Sequence, residues 1–345
     1  MFKTFADVFA ELPKENGLYV LSQLLGRLST SCPELEAALK LILADIFKEF
    51  PDQVMWNILD IKLRSQASHQ DLSEFERANA KKLAQTVDNI FGGLKSAEST
   101  LHEKYMSYLE LGNQLKTFMG LPHGRSKNEF NINSQYPQLN RFLDKEAKKG
   151  RTFLVPLKAF IVPALDHSRQ RKVDASYETA TASQMTERHK NIKKEISSVN
   201  IMYILNNCQI MSSLQRPVKF TLQATNGRQY SFLAKTGDDL ALDARVSELI
   251  QTFDYLLRSA KSKQGTKTLS VRSFFVVPLG HKKGLIEWVD DLASFKSCVM
   301  PLIRRQGAKQ EGAFNNFKNI DRQTSGFETL CKRMYARNRL TKFIL

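Results

Sequence analysis

A lysine followed by clustered carboxylates is the pattern in this sequence best suited to chemistry. Lys235 closes a run of strand-forming residues, Tyr230 to Ala234, and Asp238, Asp239 and Asp243 follow at once, where a helical pattern begins. A lysine that binds phosphate must be held by a carboxylate, or its charge wanders on a flexible stem. The aspartates also complement the partial positive charge at the start of a helix. An isolated K-x-x-D-D is explained as simply by a helix cap beside a solvated lysine, but the residues on both sides weigh against that.

Val218 to Leu222 alternates and is rich in strand formers, and Asn226-Gly227 signals a two-residue hairpin before the returning strand. Beyond the aspartates, Leu240, Val246, Leu249, Ile250, Phe253, Leu256 and Leu257 recur at helical spacing. Two further strands are expected, Leu269 to Leu279 and Leu285 to Val289. The order β-β-helix-β-β, with a lysine ending a strand just before the helix, is that of the small lobe of a kinase-like fold.

These residues resemble the phosphatidylinositol 3-kinase-related protein kinases, and within them the ATR-like branch. Ser213-Leu214-Gln215-Arg216-Pro217 resembles the family's phosphate loop, Lys235 to Asp243 its K-x-x-D-D-L-x-x-D signature, and Gly284-Leu285-Ile286-Glu287-Trp288-Val289 its hinge. The resemblance implies that Ser213 touches phosphate and that Lys235 binds the nucleotide phosphates. It implies that Asp243 holds Lys235 with Asp238 close by, and that Met211, Leu233 and Ile286 line the pocket. Trp288 would stack on adenine, and the backbone of Glu287 and Val289 would bond its edge. The family's usual basic residue is replaced by Ala241, its tyrosine by Phe274, and its GSDG hairpin by ATNG. Phe274 removes a hydroxyl from the back of the pocket, which bears on nucleotide affinity and not on the fold.

The fold class expected is α+β: an α-solenoid of FAT-like helical repeats, then a small lobe of antiparallel sheet plus one long helix. The first helices of an incomplete large lobe would follow. The boundaries are 1–165 for the helical domain, 166–198 for a charged Ser/Thr-rich linker, 199–291 for the small lobe and 292–345 for the start of the large lobe. In the helical part, Pro33 opens a helix to Phe47, with Ser31 or Thr30 as its cap, and Pro51 opens the next. Asp71 caps a third, which Gly92-Gly93 ends, and a fourth runs from about Leu94 to Met119. Gly120 to Gln135 reads as a polar loop. Phe50 to Trp56 resembles a tryptophan-bearing segment of the ATR FAT domain, and Arg151 to Pro163 the family's join between FAT and kinase.

Composition narrows the function classes. The net charge of +16 permits attraction to nucleic acid, but the basic residues lie in short scattered clusters with no interleaved aromatics, as on solvated helix faces. The cysteines Cys32, Cys208, Cys298 and Cys331 form no CxxC pair and imply a reducing compartment without structural zinc. No apolar run approaches the roughly 18 residues of a membrane helix, and Asp7 and Glu11 interrupt any signal-peptide core.

Phosphoryl transfer needs a catalytic aspartate and metal-binding Asn and Asp side chains. The family's D-R-H-x-x-N and D-F-D motifs do not occur here. Asp321-Arg322-Gln323 is a near match without the histidine, and Gly326 stands where the asparagine belongs. The expectation is therefore a fragment of an ATR-like serine/threonine kinase that binds ATP, has no catalytic or metal residues of its own and is inactive alone. Mg or Mn would act only in a complete kinase. The resemblance further implies a nuclear role in the DNA damage checkpoint, an ATRIP-like regulatory subunit, protein substrates, an oligomeric parent, only indirect contact with DNA and none with membrane. The alternatives are a non-catalytic helical scaffold or pseudokinase-like interaction protein, and a basic nucleic-acid-binding protein.

Overall fold

The computed structural model describes residues 16–68, 70–95, 99–122, 128–157, 199–259 and 271–293, with four isolated positions before residue 16. The expected linker 166–198 and nearly all of the expected large-lobe start fall outside these residues. Two compact units are present, Met1–Leu249 with Phe274–Trp288, and Ile250–Ser273 with Val289–Leu345.

The first unit begins with helices α1 (Asn16–Tyr19), α2 (Leu21–Arg27), α3 (Pro33–Glu49), α4 (Pro51–Ser65), α5 (Glu74–Lys95) and α6 (Ser99–Met119). Pro33 and Pro51 each open a helix, where a missing N–H costs nothing. Thr30 Oγ1 accepts the Cys32 N–H just ahead of α3. The start of α5 differs from expectation. Asp71 bonds back to Ser68, and a capping box of Ser73 and Glu76 opens the helix instead: the Glu76 N–H donates to Ser73 Oγ and the Ser73 N–H to Glu76 Oε2. Gly92 and Gly93 do not end α5, which runs on to Lys95. Buried Ile90 and Phe91 anchor that turn, and such anchoring outweighs the roughly 1 kcal/mol that each glycine costs in a helix.

Residues 120–135, expected as a loop, contain β1 (Glu129–Asn131) and α7 (Ile132–Gln135), which Asn131 caps through its side chain. Then come α8 (Pro137–Lys148), β2 (Phe153–Leu154), β3 (Asn200–Ile204), β4 (Asn207–Ile210), β5 (Val218–Ala224), β6 (Gln229–Thr236), α9 (Leu240–Ser259), β7 (Val276–Pro278) and β8 (Lys283–Glu287). The sheet has eight strands in the order β1-β4-β5-β6-β8-β7, with β3 also on β5 and β2 on β3, and each pairing is antiparallel.

The β5–β6 turn sets the register. Ala224 N–H donates to Arg228 O and Gly227 N–H to Ala224 O, so the loop has three residues, Thr225 to Gly227, with Gly227 left-handed at φ +77°. This replaces the expected two-residue turn. A loop of two would shift the pairing by one residue and change which side chains stand opposite each other.

The back of this sheet packs on the helices. Phe220, Leu222, Phe232, Ala234 and Leu285 are buried in one core with Trp56, Leu111 and Leu115. Phe118 meets Phe220 edge-on at 5.4 Å and Phe220 stacks on Phe232 at 6.0 Å. Trp56 Nε1 donates to Leu154 O (3.0 Å), and the Leu154 N–H donates to Tyr108 Oη (2.8 Å), so β2 is gripped from both sides. Glu146 on α8 accepts from Arg151, Ser107 and Lys149. In the second unit, Asp254 Oδ1 accepts the Val271 N–H (2.7 Å) and Arg272 reaches Asp290 O. Among the described residues no helix is long and apolar enough to cross a membrane.

The loop joining β7 to β8 is fixed by α4. Gly280 N–H donates to Asp60 Oδ1 at 3.0 Å. Gly280 has φ +90°, and a Cβ there would lie 3.0–3.2 Å from Leu63 Cβ, C and O. Burial, the largest influence, pushes the Asp60 carboxyl above its usual value against the pull of Arg64 and the Gly280 N–H. Gly280→Ala is expected to destabilise the chain by about 1–3 kcal/mol. Asp60→Asn keeps an acceptor and removes a half-buried carboxylate whose charged form is disfavoured there, so it should hold or raise the melting temperature at pH 7–8. Thermal unfolding of both variants checks this.

The Glu146 carboxyl is held down to about 2, first by the Arg151 hydrogen bond and also by Ser107 and Lys149. A depressed carboxylate contributes stability above its unfolded value, and that contribution is lost as pH falls through the folded one. Wild type should therefore lose stability between pH 4.5 and 2 more steeply than Glu146→Gln, as urea midpoints across that range will show.

Candidate functional site

The face of the sheet turned away from the helices is half exposed, as the strict alternation of buried and half-buried residues along β5 shows. Register lays its side chains out in rows. Lys219 stands opposite Leu233, and Leu233 opposite Ile286. In the next row Thr221 stands opposite Ser231, their hydroxyls 2.8 Å apart, and the Trp288 N–H donates to Ser231 O at 2.9 Å. Lys235 stands opposite Gly284. Leu233, Lys235, Ile286 and Trp288, four of the residues expected at the site, thus share one side of β6 and β8.

Gly284 lets α9 approach this face. A Cβ there would lie 2.9 Å from Leu240 Cδ1 and 2.4 Å from Val277 O, so only glycine leaves room for the buried first residue of the helix. Asp239 caps α9, accepting from the N–H groups of Ala241 and Leu242. Gly237, at φ +95°, turns the chain between strand and helix. That turn swings Asp238 back onto Lys235, and the two form an ion pair.

The expected partner of Lys235 was Asp243, with Asp238 nearby; the ion pair observed is with Asp238. Asp243 lies farther along, with its N–H bonded to Asp239 O. The Lys235 hydrogen bond, followed by one from Gln215, lowers the Asp238 carboxyl below its usual value. Gln215 Nε2 reaches Asp238 Oδ1 at 2.6 Å, which ties the loop between β4 and β5 to the lysine. That loop is closed by Met211 N–H to Pro217 O, Ser213 N–H to Met211 O and Arg216 N–H to Ser213 O, with Arg216 at φ +49°. Met211 is half-buried, Ser213 exposed, and Leu214 fully exposed at the tip.

At the far end of the face, the Glu287 N–H donates to Phe275 O (2.8 Å), while the Phe275 N–H donates to Glu287 Oε2 (2.9 Å). The carboxylate replaces a ladder carbonyl, which is why β7 begins at Val276 and not at the expected Leu269. Lys219 Nζ sits 4.2 Å from the centroid of the Trp288 ring. Val289, also expected at the site, is buried and belongs to the second unit.

A cation held by a carboxylate, an apolar floor of Leu233 and Ile286, and an indole at the rim fit a nucleotide: phosphate, base edge and base face. Among the described residues no group of three or more His, Cys, Asp or Glu side chains is placed to hold a metal. Sequence reasoning missed Gln215 as a tether, Lys219 and Gly284. Strand alternation hints at the side Lys219 faces, but its row depends on the three-residue turn.

Residues 229–325 match the family described as phosphatidylinositol 3- and 4-kinase, and residues 1–91 match ATR-like HEAT repeats of serine/threonine-protein kinases. In both regions the chain is thus similar to kinases of this kind. It is 25% identical over 293 residues to the serine/threonine-protein kinase ATR of Oryza sativa subsp. indica, covering 85% of this chain and 10% of that protein. It is 24% identical over 302 residues to protein kinase rad3 of Schizosaccharomyces pombe, covering 86% and 11%. The open conformation of CtTel1 superimposes with a TM-score of 0.63 at 18% identity, over 86% of this chain and 10% of that one. The FAT and kinase domain of CtTel1 gives 0.58 at 18% identity, over 81% and 17%. These superpositions establish the shared fold, helical repeats followed by an antiparallel kinase-like small lobe. The chain spans about a tenth of the length of these curated relatives.

If this face takes ATP and Asp238 holds the lysine, Asp238→Ala should weaken ATP binding about tenfold, the size of one lost charge-assisted contact. Asp243→Ala should weaken it less, and both should keep the wild-type circular dichroism. Calorimetric titration compares them, and a larger loss at Asp243 would restore the assignment read from the sequence.

Proposed function

We propose that this chain is the nucleotide-binding small lobe, with its adjoining helices, of an ATR-like serine/threonine protein kinase, and that its ligand is ATP. One observation carries the reading: the Lys235–Asp238–Gln215 cluster lies on the same sheet face as Leu233, Ile286 and Trp288. In this reading Lys235 neutralises phosphate, Asp238 fixes the lysine, and Ser213 approaches phosphate from the loop. Met211, Leu233 and Ile286 line the pocket, Trp288 stacks on adenine, and the backbone of Glu287 bonds its edge. Asp243 contributes helix-terminal charge near the lysine.

ATP supplies the transferable phosphoryl group, and Mg or Mn would serve with it in a complete kinase. A base positioned against the acceptor hydroxyl and carboxylates that hold metal are both required for transfer. The described part of the chain offers neither, and the 345 residues contain no D-R-H-x-x-N. Without such groups the transition-state charge goes unstabilised, so these residues bind ATP without transferring phosphate. The reading extends to a parent kinase with a role in the nuclear DNA damage checkpoint, protein substrates and an ATRIP-like partner subunit, and likeness to ATR and rad3 supports it. It also includes an oligomeric parent, a reading in keeping with the CtTel1 dimer with C2 symmetry, whose fold is shared.

The purified chain, given labelled ATP, Mg²⁺ or Mn²⁺ and a protein substrate, should bind ATP and leave the substrate unlabelled. Labelling that survives purification and disappears in Lys235→Ala would overturn the inactivity. Absence of ATP binding would overturn the nucleotide reading itself.

A further inference from the structure

We propose that Lys219 is a positioning residue for the adenine base: its ammonium covers one face of the Trp288 indole and leaves the other face as the stacking platform. The inference rests on the nucleotide reading of this face and adds a residue to it.

Geometry supplies the argument. Lys219 is half-buried on β5, on the same side of the sheet as Leu233 and Ile286 and in one row with them. Trp288 belongs to the neighbouring row, tied there by its N–H to Ser231 O. From its place opposite Leu233 the lysine therefore reaches diagonally across to the next row and ends 4.2 Å from the indole centroid. A cation at that distance is attracted by the ring quadrupole, and the attraction favours one ring plane. A half-buried indole at the rim of an open face otherwise rotates about two side-chain torsions, and a base stacking on it must first fix them. Lys235 carries the ion pair with Asp238 and Lys219 the indole, so the two lysines of this face have separate tasks: phosphate for one, base for the other.

The division of labour is testable because adenosine lacks the phosphates. Calorimetric titration of the whole chain with adenosine and with ATP compares wild type, Lys219→Met and Lys219→Arg. Lys219→Met should weaken both ligands by the same factor, about three- to tenfold, and Lys219→Arg should stay within about twofold of wild type, since a guanidinium stacks on indole equally well. In a Trp288→Leu background, Lys219→Met should have no further effect on adenosine. A loss confined to ATP would make Lys219 a phosphate ligand and overturn the proposal. So would unchanged or tighter adenosine binding in Lys219→Met, which would mean the ammonium is idle or competes with the base. If wild type binds neither ligand, the nucleotide reading fails, and the indole contact is judged alone. In Trp56→Phe, Trp288 is the sole tryptophan, and acrylamide quenching of its fluorescence should rise on Lys219→Met. No rise, in that variant or in the parent chain where Trp56 is buried, overturns the contact too.

Discussion

The two faces of one sheet carry the organisation of this unit, and the burial of the back face on α4 and α6 comes first. Phe220 wedged between Phe118 and Phe232 removes apolar surface from water at about 25 cal/mol per Å², and it can do so only with every second residue of β5 turned inward. Alternation then sends Lys219, Thr221 and Gln223 to the other side. The polar side of the sheet is thus a by-product of the apolar one: the helices that bury Phe220 also decide which lysines are presented together.

Some of this was open to reading from the sequence. Helices opened by Pro33 and Pro51, the strand closed by Lys235 and the long helix after Asp239 follow from local periodicity and local punctuation, which need no tertiary knowledge. Other features depend on distance in three dimensions. The Ser73–Glu76 box lay two residues beyond the chosen Asp71 and was masked by it. Gly92 and Gly93 resemble a stop signal until the packing of Ile90 and Phe91 is known. β1 lies in a polar stretch, and its central buried residue, Phe130, pairs with Cys208 on β4, a partner far along the chain.

The site shows the same division. Lys235 and the hinge were legible because residue type and order carry them. Which aspartate holds the lysine was not, because a left-handed glycine at 237 decides it, and that angle is invisible in a string of letters. The register of Lys219 was hidden for a related reason. Asn226-Gly227 is equally compatible with a loop of two and a loop of three, and one residue of difference moves a lysine into or out of the row of Leu233.

The contact at Gly280 bears on how this region can drift over generations. The obstacle to a side chain there includes the carbonyl carbon and oxygen of Leu63, at 3.1 and 3.2 Å, and main-chain atoms are common to every amino acid. Trimming residue 63 would relieve only the Cβ clash, so no compensating replacement at that position restores the space. The glycine is locked by backbone against backbone, and a lineage can lose it only by moving the helix.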